Sequence, residues 1–515
     1  MRSKFNQAGA VGVIYDQPPW ELPPQAWSDS TNIRFRDGAA EAFDGQSQVF
    51  GTPLGPAYRV MPVSTGREYF WVYTGINNIW ATDGGAHADI TSVSNSYSAT
   101  DNLYWNGGAF NNFLVLNNGR EAPASWSPNL ANQTTPLANW EAGLKADVIR
   151  PFKNYLFALR CEESGVYNPR LLRHSNGATI GSLPSSWDYT DPNEDTGRVE
   201  FGQTTDSLVD ALPLRDSLVI YKQNYTWAAQ YVGGVDNPFI YRQVFAQAGM
   251  LSEWCAAAFE GKHVVLTTDD LIVHDLNQSQ SIVDKRMRRW LFSQINPSEY
   301  KNCFVVPNFK NREIWVCFPT SGETFPQLAL VWNWAENTTA VREIGFECPH
   351  MNWGIVNPGS GTTFDADTGS FSEGTGAFDG QAFNPVVTSI LMTDPAWPRL
   401  VQTDDTGTLD GVTFTKRLTR EALPFDDFLR YKRILRVFPK LISVSGETFN
   451  IFIGTRDTFE DDVVWSQPET YTVGTDAFVN FRESGRIIDL RIEYNGTQNF
   501  RLHGFDIEWD ADGLY

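Results

Sequence analysis

A strand-turn-strand sequence pattern recurs six times along this chain, and this recurrence limits the folds that the chain can adopt. Each copy opens on polar turn residues, continues through four to six apolar or β-branched residues, turns on Gly, Asn or Asp, and begins a second apolar strand. The first apolar residues of the copies are Tyr69, Phe113, Tyr155, Leu218, Val264 and Ile314, at steps of 44, 42, 63, 46 and 50 residues. This spacing indicates a structural repeat.

Repeats of about 40 to 50 residues with several short strands each are typical of β-propeller blades, because a single blade cannot bury both of its faces. The second strand of a copy often ends near a tryptophan, at Trp80, Trp126, Trp227, Trp332 or Trp334. We expect most of these rings to pack between blades. The alternative is one or several β-sandwiches made of ordinary hairpins.

The sequence predicts an all-β fold, with a β-propeller-like body of short-strand blades and a C-terminal antiparallel β-sandwich. The expected divisions are an N-terminal arm with a first hairpin (1–56), the repeat body (57–348), a Gly/Ser/Asp-rich loop insertion (349–428) and the sandwich (429–515). The 63-residue step contains Ser185 to Arg198, predicted to be a loop inserted in one blade. The best helical candidate is Ala246 to Glu260.

Sequence signatures of chemistry are lacking. There is no nucleophile elbow, P-loop, dinucleotide-binding fingerprint or zinc-protease motif, and the five cysteines form no C-x-x-C pair. His263 and His274 fall within one repeat, where a hairpin could bring them together, but satisfied structural histidines are the better interpretation. We therefore expect a non-enzyme without cofactor or metal site. No apolar run approaches the roughly 18 residues that a membrane span requires, so no membrane insertion is expected.

The charge balance argues against a surface that grips nucleic acid. Forty Lys and Arg face 61 Asp and Glu, for a net charge of −21. Basic clusters interrupt this background at 285–289, 416–420 and 430–436. The first and third are candidate subunit contacts, where positive patches would dock on the acidic surface of the next copy; the alternative is a solvated surface paired with local acids. The candidate contact residues are Lys285, Arg286, Arg288, Arg289, Arg430, Lys432, Arg433 and Arg436.

The N-terminal motif, Glu21 to Gly45, reads ELPPQAWSDSTNIRFRDGAAEAFDG. Alternation in TNIRF predicts a strand, Asp37-Gly38 a tight turn, and Glu41 to Phe43 the returning strand. The motif resembles the opening of tail structural proteins of short-tailed bacteriophages. The resemblance is carried by Pro23, Pro24, Trp27, Asn32, Ile33, Arg34, Phe35, Arg36, Asp37, Gly38, Phe43 and Gly45.

Together with the repeats and the C-terminal sandwich, this opening is similar to that of the nozzle, or tail-hub, proteins of such phages. The resemblance implies a structural virion protein that forms a homo-oligomeric ring, a hexamer in that family, around the DNA exit channel and takes part in genome ejection. It implies contacts with the head-to-tail adaptor and tail fibre proteins, DNA that passes without specific binding, synthesis in the host cytoplasm and a place in the virion tail.

Two other functions remain open at this point. One is a carbohydrate-binding or carbohydrate-cleaving propeller, such as a receptor-binding tail protein, in which tryptophans would be sugar platforms in an acidic cleft. The other is a minor head or internal virion protein.

Overall fold

A computed structural model describes residues 1–65, 68–93, 97, 99–234, 238–357, 387–425 and 428–511. Its regular secondary structure is almost entirely β-strand. Seven blades form a β-propeller, and two further sheets form a sandwich beside it. The predicted all-β class, the propeller body and the sandwich are confirmed.

The chain begins with seven short strands that join other parts of the fold. They are β1 (Arg2–Asn6), β2 (Gly12–Val13), β3 (Ala26–Trp27), β4 (Asp29–Thr31), β5 (Ile33–Arg36), β6 (Ala39–Ala42) and β7 (Gln46–Val49). A 3₁₀ turn, Pro19–Glu21, lies between β2 and β3.

Blades 1 to 3 follow as four-stranded antiparallel sheets, each in sequence order from its innermost to its outermost strand. Blade 1 is β8 (Arg59–Ser64), β9 (Tyr69–Thr74), β10 (Ile79–Thr82) and β11 (His87–Asp89). Blade 2 is β12 (Asn106–Phe110), β13 (Phe113–Asn117), β14 (Ala124–Trp126) and β15 (Thr135–Pro136). Blade 3 is β16 (Leu144–Phe152), β17 (Tyr155–Glu163), β18 (Val166–His174) and β19 (Gly197–Glu200).

Blades 4 to 6 repeat this order, and blade 6 is extended at its outer edge by β2 and β3. Blade 4 is β20 (Leu208–Leu214), β21 (Ser217–Lys222), β22 (Tyr225–Tyr231) and β23 (Phe239–Ala246). Blade 5 is β24 (Ala256–Phe259), β25 (Lys262–Leu266), β26 (Leu271–His274) and β27 (Ser279–Ser281). Blade 6 is β28 (Phe304–Asn308), β29 (Glu313–Phe318), β30 (Leu328–Asn333) and β31 (Thr338–Glu343). Helix α1 (Arg288–Gln294) and a 3₁₀ turn (Tyr300–Asn302) connect blades 5 and 6.

Blade 7 closes the ring with a strand from the other end of the chain. Its first three strands are β32 (Met351–Asn357), β33 (Val387–Asp394) and β34 (Arg399–Thr403). The fourth is β7, which pairs antiparallel with β34 so that Val49 lies opposite Leu400 and Gln46 opposite Thr403. The innermost strands of blades 7 and 1, β32 and β8, pack together. The last blade is therefore completed by a segment that precedes the first.

The sandwich combines strands from both ends of the chain. Its C-terminal strands are β35 (Lys416–Arg420), β36 (Lys432–Ile442), β37 (Thr448–Arg456), β38 (Val464–Trp465), β39 (Glu469–Thr472), β40 (Val479–Asn480), β41 (Ser484–Gly485), β42 (Ile487–Tyr494) and β43 (Arg501–Ala511). One sheet has the order β40-β36-β43-β6-β5, with β1 also paired to β43 and β41 to β36. The other has the order β38-β37-β42-β35-β4, with β39 paired to β37. One hydrophobic core extends from blades 4 to 7 into this sandwich.

Two of the domain divisions predicted from the sequence are wrong. The N-terminal segment 1–56 is not a separate arm, because its strands belong to the sandwich and to blades 6 and 7. The segment 349–428 is not one loop insertion, since it contains the three strands β32 to β34 of blade 7 and the sandwich strand β35. Its Gly/Ser/Asp-rich part, 358–386, lies outside the described residues.

The third wrong prediction is the helix at Ala246–Glu260. That segment contains the end of β23, a turn and the innermost strand β24. Small side chains suit a strand near the propeller axis, where neighbouring blades crowd together, so tertiary packing overrides the helix propensity of the alanines. The predicted loop 185–198 does lie within one blade, in the connection from β18 to β19 and the start of β19.

Candidate functional site

The N-terminal motif forms the junction between the propeller and the sandwich. Asn32 has a left-handed backbone (φ 58°), which asparagine tolerates better than most residues. Its side-chain Nδ2 donates to the Glu343 carboxylate and to the Thr415 carbonyl, both at 2.9 Å, while its Oδ1 accepts from the Glu343 amide at 2.8 Å. One buried side chain thus joins blade 6, the hairpin and the segment that enters β35.

Arg34 extends this junction into a buried cluster of charges. Its guanidinium pairs with Asp404 (2.8 Å) and Glu313 (3.1 Å), and Arg342 also pairs with Asp404 (3.1 Å). Asp404 Oδ2 accepts two further bonds, from the amides of Asn308 (2.7 Å) and Asn311 (2.8 Å). These donors overcome the effect of burial and lower the pKa of Asp404 to about 2. The opposite charges balance, so the cluster can remain buried.

The turn of the motif is anchored from the other side. The Asp37 carboxylate pairs with Arg501 at 3.1 Å, and the Asp37 amide donates to Glu336 at 2.7 Å. Buried Glu41 pairs with both Arg36 and Arg501 at 2.5 Å. Asn32, Arg34, Arg36 and Asp37 of the N-terminal motif therefore help to hold the junction between the propeller and the sandwich together.

Side chains from the innermost strands, and from the segments that lead into them, fill the centre of the propeller. Arg150 donates from Nε and Nη2 to the two oxygens of Asp210, at 2.7 and 2.9 Å. Its guanidinium lies 4.5 Å from the ring centre of Trp254, whose ring is in edge contact with His350. On the opposite side, Arg59 Nη1 donates to the Pro349 carbonyl at 2.5 Å. Burial lowers the pKa of Arg59 to about 10. Because these residues are packed together, duplex DNA cannot pass along the axis of one propeller.

The face of the propeller that carries the connections between successive blades is called here the funnel face. A cavity of about 370 Å³, the funnel cavity, opens on it and is lined by residues from blades 2 to 5 and from the connection into blade 6. Its lining includes Tyr104 and Arg120 before and within blade 2, Asp147 and Arg160 of blade 3, and Glu253 before blade 5. Its volume lies within the range of small-molecule sites.

Arg160 organises the floor of this cavity. It has a left-handed backbone (φ 55°) at a register shift in β17, and bulges of this kind re-aim side chains. Its Nε pairs with Asp147 at 2.9 Å, its Nη2 pairs with Glu253, and its Nη1 donates to the carbonyls of Leu208 and Val209. A single guanidinium thus links blade 3, blade 4 and the connection into blade 5.

Glu253 is incompletely satisfied in this arrangement. Its Oε1 pairs with Arg160, but its Oε2 is buried without a hydrogen-bond partner among the described residues. Burial raises the pKa of Glu253 despite the nearby guanidinium. The carboxyl group therefore retains hydrogen-bonding capacity that the protein does not use.

The first basic cluster lies on the funnel face, between blades 5 and 6. Lys285 and Arg289 are exposed, whereas the other two side chains are engaged locally. Arg286 donates to the Asn337 carbonyl at 2.6 Å, and Arg288 pairs with Asp269 at 3.2 Å. A cavity of about 620 Å³ lies beside them.

The third basic cluster lies in the sandwich, where one of its side chains is buried and others are exposed. Lys432 is buried, and its Nζ donates to the carbonyls of Arg430 and Arg486 at 3.0 and 2.7 Å. Arg433 and Arg436 are exposed on one face of β36, because a register shift between them keeps both outward. Arg436 pairs with Glu508 at 3.3 Å. The two basic clusters thus belong to different domains, and Lys432 is not available as a contact.

The two histidines of one repeat do come together, but as structural residues. His263 and His274 are directly opposite in β25 and β26, and the Tyr221 hydroxyl lies 2.8 Å from a ring nitrogen of each. Burial lowers the pKa of His263 to about 3 and of His274 to about 4, so both rings are neutral at pH 7. Within the described ranges no group of three His, Cys, Asp or Glu is arranged to hold a metal ion. Likewise, no described helix is long and apolar enough to cross a membrane.

The funnel cavity was not predicted from the sequence. Its residues come from five separate parts of the chain, and none belongs to a recognisable motif. The repeat period predicts that these segments surround one axis. It does not predict that the Arg160 side chain turns towards the cavity, because this depends on the register shift inside β17.

No family model and no curated protein matches this chain. Several solved structures are similar at low identity. The WD40 β-propeller domain of Doa1 is 10% identical, covering 70% of this chain and 97% of that chain, with a TM-score of 0.37. A catalytically inactive virginiamycin B lyase from Staphylococcus aureus with quinupristin is 10% identical, covering 70% and 97%, with a TM-score of 0.39. The Myceliophteria thermophila Cps50 (Swd1) β-propeller domain is 8% identical, covering 68% and 98%, with a TM-score of 0.40. The seven four-stranded blades are defined by the pairing of the strands themselves.

Proposed function

We propose that this chain is a structural, non-enzymatic protein of a short bacteriophage tail, where copies of it form the nozzle or hub ring around the DNA exit channel. The observation that carries the proposal is the position of the N-terminal motif. Its Asn32, Arg34 and Asp37 hold the hairpin against blade 6, blade 7 and the sandwich through buried contacts. This role of the motif is structural, and the tail assignment comes from the resemblance of its residues.

The closed axis favours a DNA channel that lies between the copies of such a ring. Arg150, Asp210 and Trp254 fill the interior of the single propeller. The channel is therefore enclosed between copies, and each propeller is part of its wall. A net charge of −21 would keep a phosphate backbone from adhering to that wall.

Exposed basic groups on this acidic surface are the proposed contacts between copies. Lys285 and Arg289 lie on the funnel face, and Arg433 and Arg436 lie on the sandwich. Because they belong to different domains, each can meet an acidic surface of a neighbouring copy and fix its orientation.

Charge reversal tests this arrangement. The variant Lys285→Glu/Arg289→Glu is compared with the matched variant Lys262→Glu/Lys310→Glu, whose exposed lysines lie on the opposite propeller face. Mass photometry and negative-stain images of the purified proteins should show rings for the wild type and the control, and monomers for the first variant. Circular dichroism should be unchanged in all three. If rings persist in Lys285→Glu/Arg289→Glu, this basic cluster is not a contact between copies. A monomeric wild type would contradict the ring itself.

A further inference from the structure

The outer face of one sandwich sheet is positively charged, although the chain as a whole carries −21. Strands β1, β43 and β36 lie side by side in that sheet, so residues at alternate positions of each strand share its outer face. We call this surface the basic face. It carries five cationic side chains and three carboxylates, namely Arg2, Lys4, Arg433, Arg436, Lys440, Asp506, Glu508 and Asp510.

The carboxylates of the basic face do not neutralise all of its cations. Three of the cations pair with Asp506 or Glu508, at nitrogen–oxygen distances of 2.6 to 3.3 Å. Lys4 and Arg433 are exposed, and among the described residues neither has a carboxylate within 4 Å. The basic face therefore has positive charge that is available to a partner.

Aromatic rings lie among these charges. The Arg2 guanidinium is 4.2 Å from the ring centre of Phe438, and the Arg436 guanidinium is 4.7 Å from that of Phe478. The centres of the two rings are 5.3 Å apart. Arginine and aromatic side chains are enriched in contacts between proteins. The basic face thus has the composition of a docking surface.

The connection between β18 and β19 of blade 3, residues 175–196, carries the opposite charge and is called here the acidic insertion. Among the described residues, no cationic group lies within 4 Å of four of its carboxylates, those of Asp188, Asp191, Glu194 and Asp195. The hydrogen bonds that they accept come from neutral groups, such as Asn176 Nδ2 at 2.9 Å from Glu194 and the Tyr155 hydroxyl at 2.6 Å from Asp195. Neutral donors do not cancel the negative charge, so the insertion also has charge available to a partner.

The acidic insertion is tied to the neighbouring blade. Asn111, in the turn between β12 and β13 of blade 2, donates from Nδ2 to the carbonyls of Thr179 and Ser182 at 3.1 and 3.2 Å. Two large apolar side chains project from the insertion, since Ile180 is 95% exposed and Tyr189 is 45% exposed. A surface with a fixed shape loses less conformational entropy on binding.

The two surfaces belong to opposite ends of the molecule. The sandwich is joined to blades 6 and 7 at the buried charge cluster of Arg34 and Asp404. In a ring of seven blades, blade 3 is three blades away from both of them, which is the greatest separation that the ring allows. We propose that the basic face of one copy docks on the acidic insertion of the next copy. This inference rests on the proposed ring and names the two surfaces that join its members.

This pairing explains a ring in preference to a two-fold dimer. Two unlike surfaces at opposite ends of a chain make a head-to-tail contact, and such contacts close into a ring when the rotation between copies allows it. A second acidic segment, 457–462, lies in the sandwich close to the start of β36, since the Phe459 ring contacts that of Phe428. That segment adjoins the basic face, so docking between the two would be reciprocal and would join only two copies. It therefore serves as the control.

Reversing the charge of each surface tests the proposal. Lys4→Glu/Arg433→Glu reverses the basic face, and Asp188→Lys/Asp191→Lys reverses the acidic insertion. Mass photometry of the full-length proteins over a concentration series, with negative-stain images, measures ring formation. Each double variant should raise the concentration at which half of the copies are in rings by at least about tenfold. The quadruple variant restores opposite charges and should form rings as the wild type does.

A mixture and a control make the test specific. An equal mixture of the two double variants should also form rings, because the two kinds of copy can alternate around a ring of even number such as a hexamer. Asp461→Lys/Asp462→Lys reverses two exposed carboxylates of the control segment and should assemble like the wild type. Circular dichroism should be the same for every variant.

The outcomes separate this pairing from the ring itself. Rings that persist in both double variants would overturn the pairing and leave the ring proposal standing. The pairing would also be wrong if neither the quadruple variant nor the mixture forms rings, or if Asp461→Lys/Asp462→Lys prevents assembly. A wild type without rings would contradict the pairing and the ring together.

Discussion

At the scale of single residues, buried Asp404 joins the N-terminal strand to the propeller. It accepts from Arg34, Arg342, Asn308 and Asn311, and its pKa is lowered to about 2. We expect Asp404→Asn to lower the free energy of unfolding by about 3 to 5 kcal/mol, because two buried guanidiniums would lose their shared anion. Urea denaturation measures this loss.

The neighbouring residue provides the control for that prediction. Asp405 is exposed and accepts a hydrogen bond from the Ser47 hydroxyl. Asp405→Asn should therefore change the free energy of unfolding by no more than about 0.5 kcal/mol. Equal effects of the two substitutions would show that the charge cluster does not hold the junction.

Four buried histidines make the fold sensitive to acid. Burial lowers the pKa of His263 to about 3, of His174 and His274 to about 4, and of His350 well below its usual value. The unfolded chain takes up protons near pH 6.5, whereas the folded rings stay neutral. Stability is therefore complete above pH 6.5 and falls as the pH decreases towards 4.

The size of this loss can be measured between pH 7.5 and 5.5. Each buried histidine should lower the free energy of unfolding by about 1 kcal/mol between pH 7.5 and pH 5.5. Burial raises the pKa of Asp489 to about 6, and this carboxyl group offsets a small part of the loss because it takes up its proton in the folded state first. Urea unfolding at both pH values should show a fall in free energy, and a constant value would contradict neutral burial of the histidines.

At the scale of elements, closure of blade 7 depends on β7. Replacing Gln46–Val49 with four glycines removes the side chains that secure this strand, including Gln46, which donates to the Ile344 carbonyl at 3.0 Å. We expect faster hydrogen exchange in both blade 7 and blade 1, because the ring opens where the two blades meet. Mass spectrometry of exchanged peptides reports this directly.

Strand β19 is a matched control, since it is also a four-residue outermost strand. Four glycines at Gly197–Glu200 should accelerate exchange in blade 3 alone, because that blade is covalently continuous with both of its neighbours. Exchange confined to blade 7 in the β7 variant would show that β7 is not the closure of the ring.

Most elements of the propeller follow from local patterns. Each of the six repeat starts, from Tyr69 to Ile314, lies at or near the beginning of the second strand of a blade. Of the five repeat tryptophans, Trp80, Trp126, Trp227 and Trp332 are buried and Trp334 is partly buried. The hairpin of the N-terminal motif forms as predicted. These features depend on alternation and turn chemistry, which a short stretch of sequence contains.

Features that depend on distant pairing were not predictable in the same way. The seventh blade combines 351–403 with β7, and more than 300 residues separate β7 from β34, the strand with which it pairs. The sandwich poses the same difficulty, since the whole propeller lies in sequence between its N-terminal strands, β1 and β4 to β6, and its C-terminal strands. In the third basic cluster, only the structure distinguishes buried Lys432 from exposed Arg433.

At the scale of the whole molecule, a closed axis and a strongly acidic surface define what an assembly of these chains can enclose. Arg59, Arg150 and His350 leave no path for DNA within one copy. In the ring proposed above, the DNA channel would be an opening shared by several copies, and the net charge of −21 would repel the phosphate backbone from outside each propeller.

Imaging the assembled tail particle by cryo-electron microscopy tests this account most directly. The proposed function predicts that this chain forms a ring in the tail, with the central opening between subunits. The propeller axes in the wall of the ring should be closed, and Lys285 or Arg433 should lie at subunit boundaries. A chain found as a monomer at the particle periphery, or DNA density on the axis of a single propeller, would contradict it.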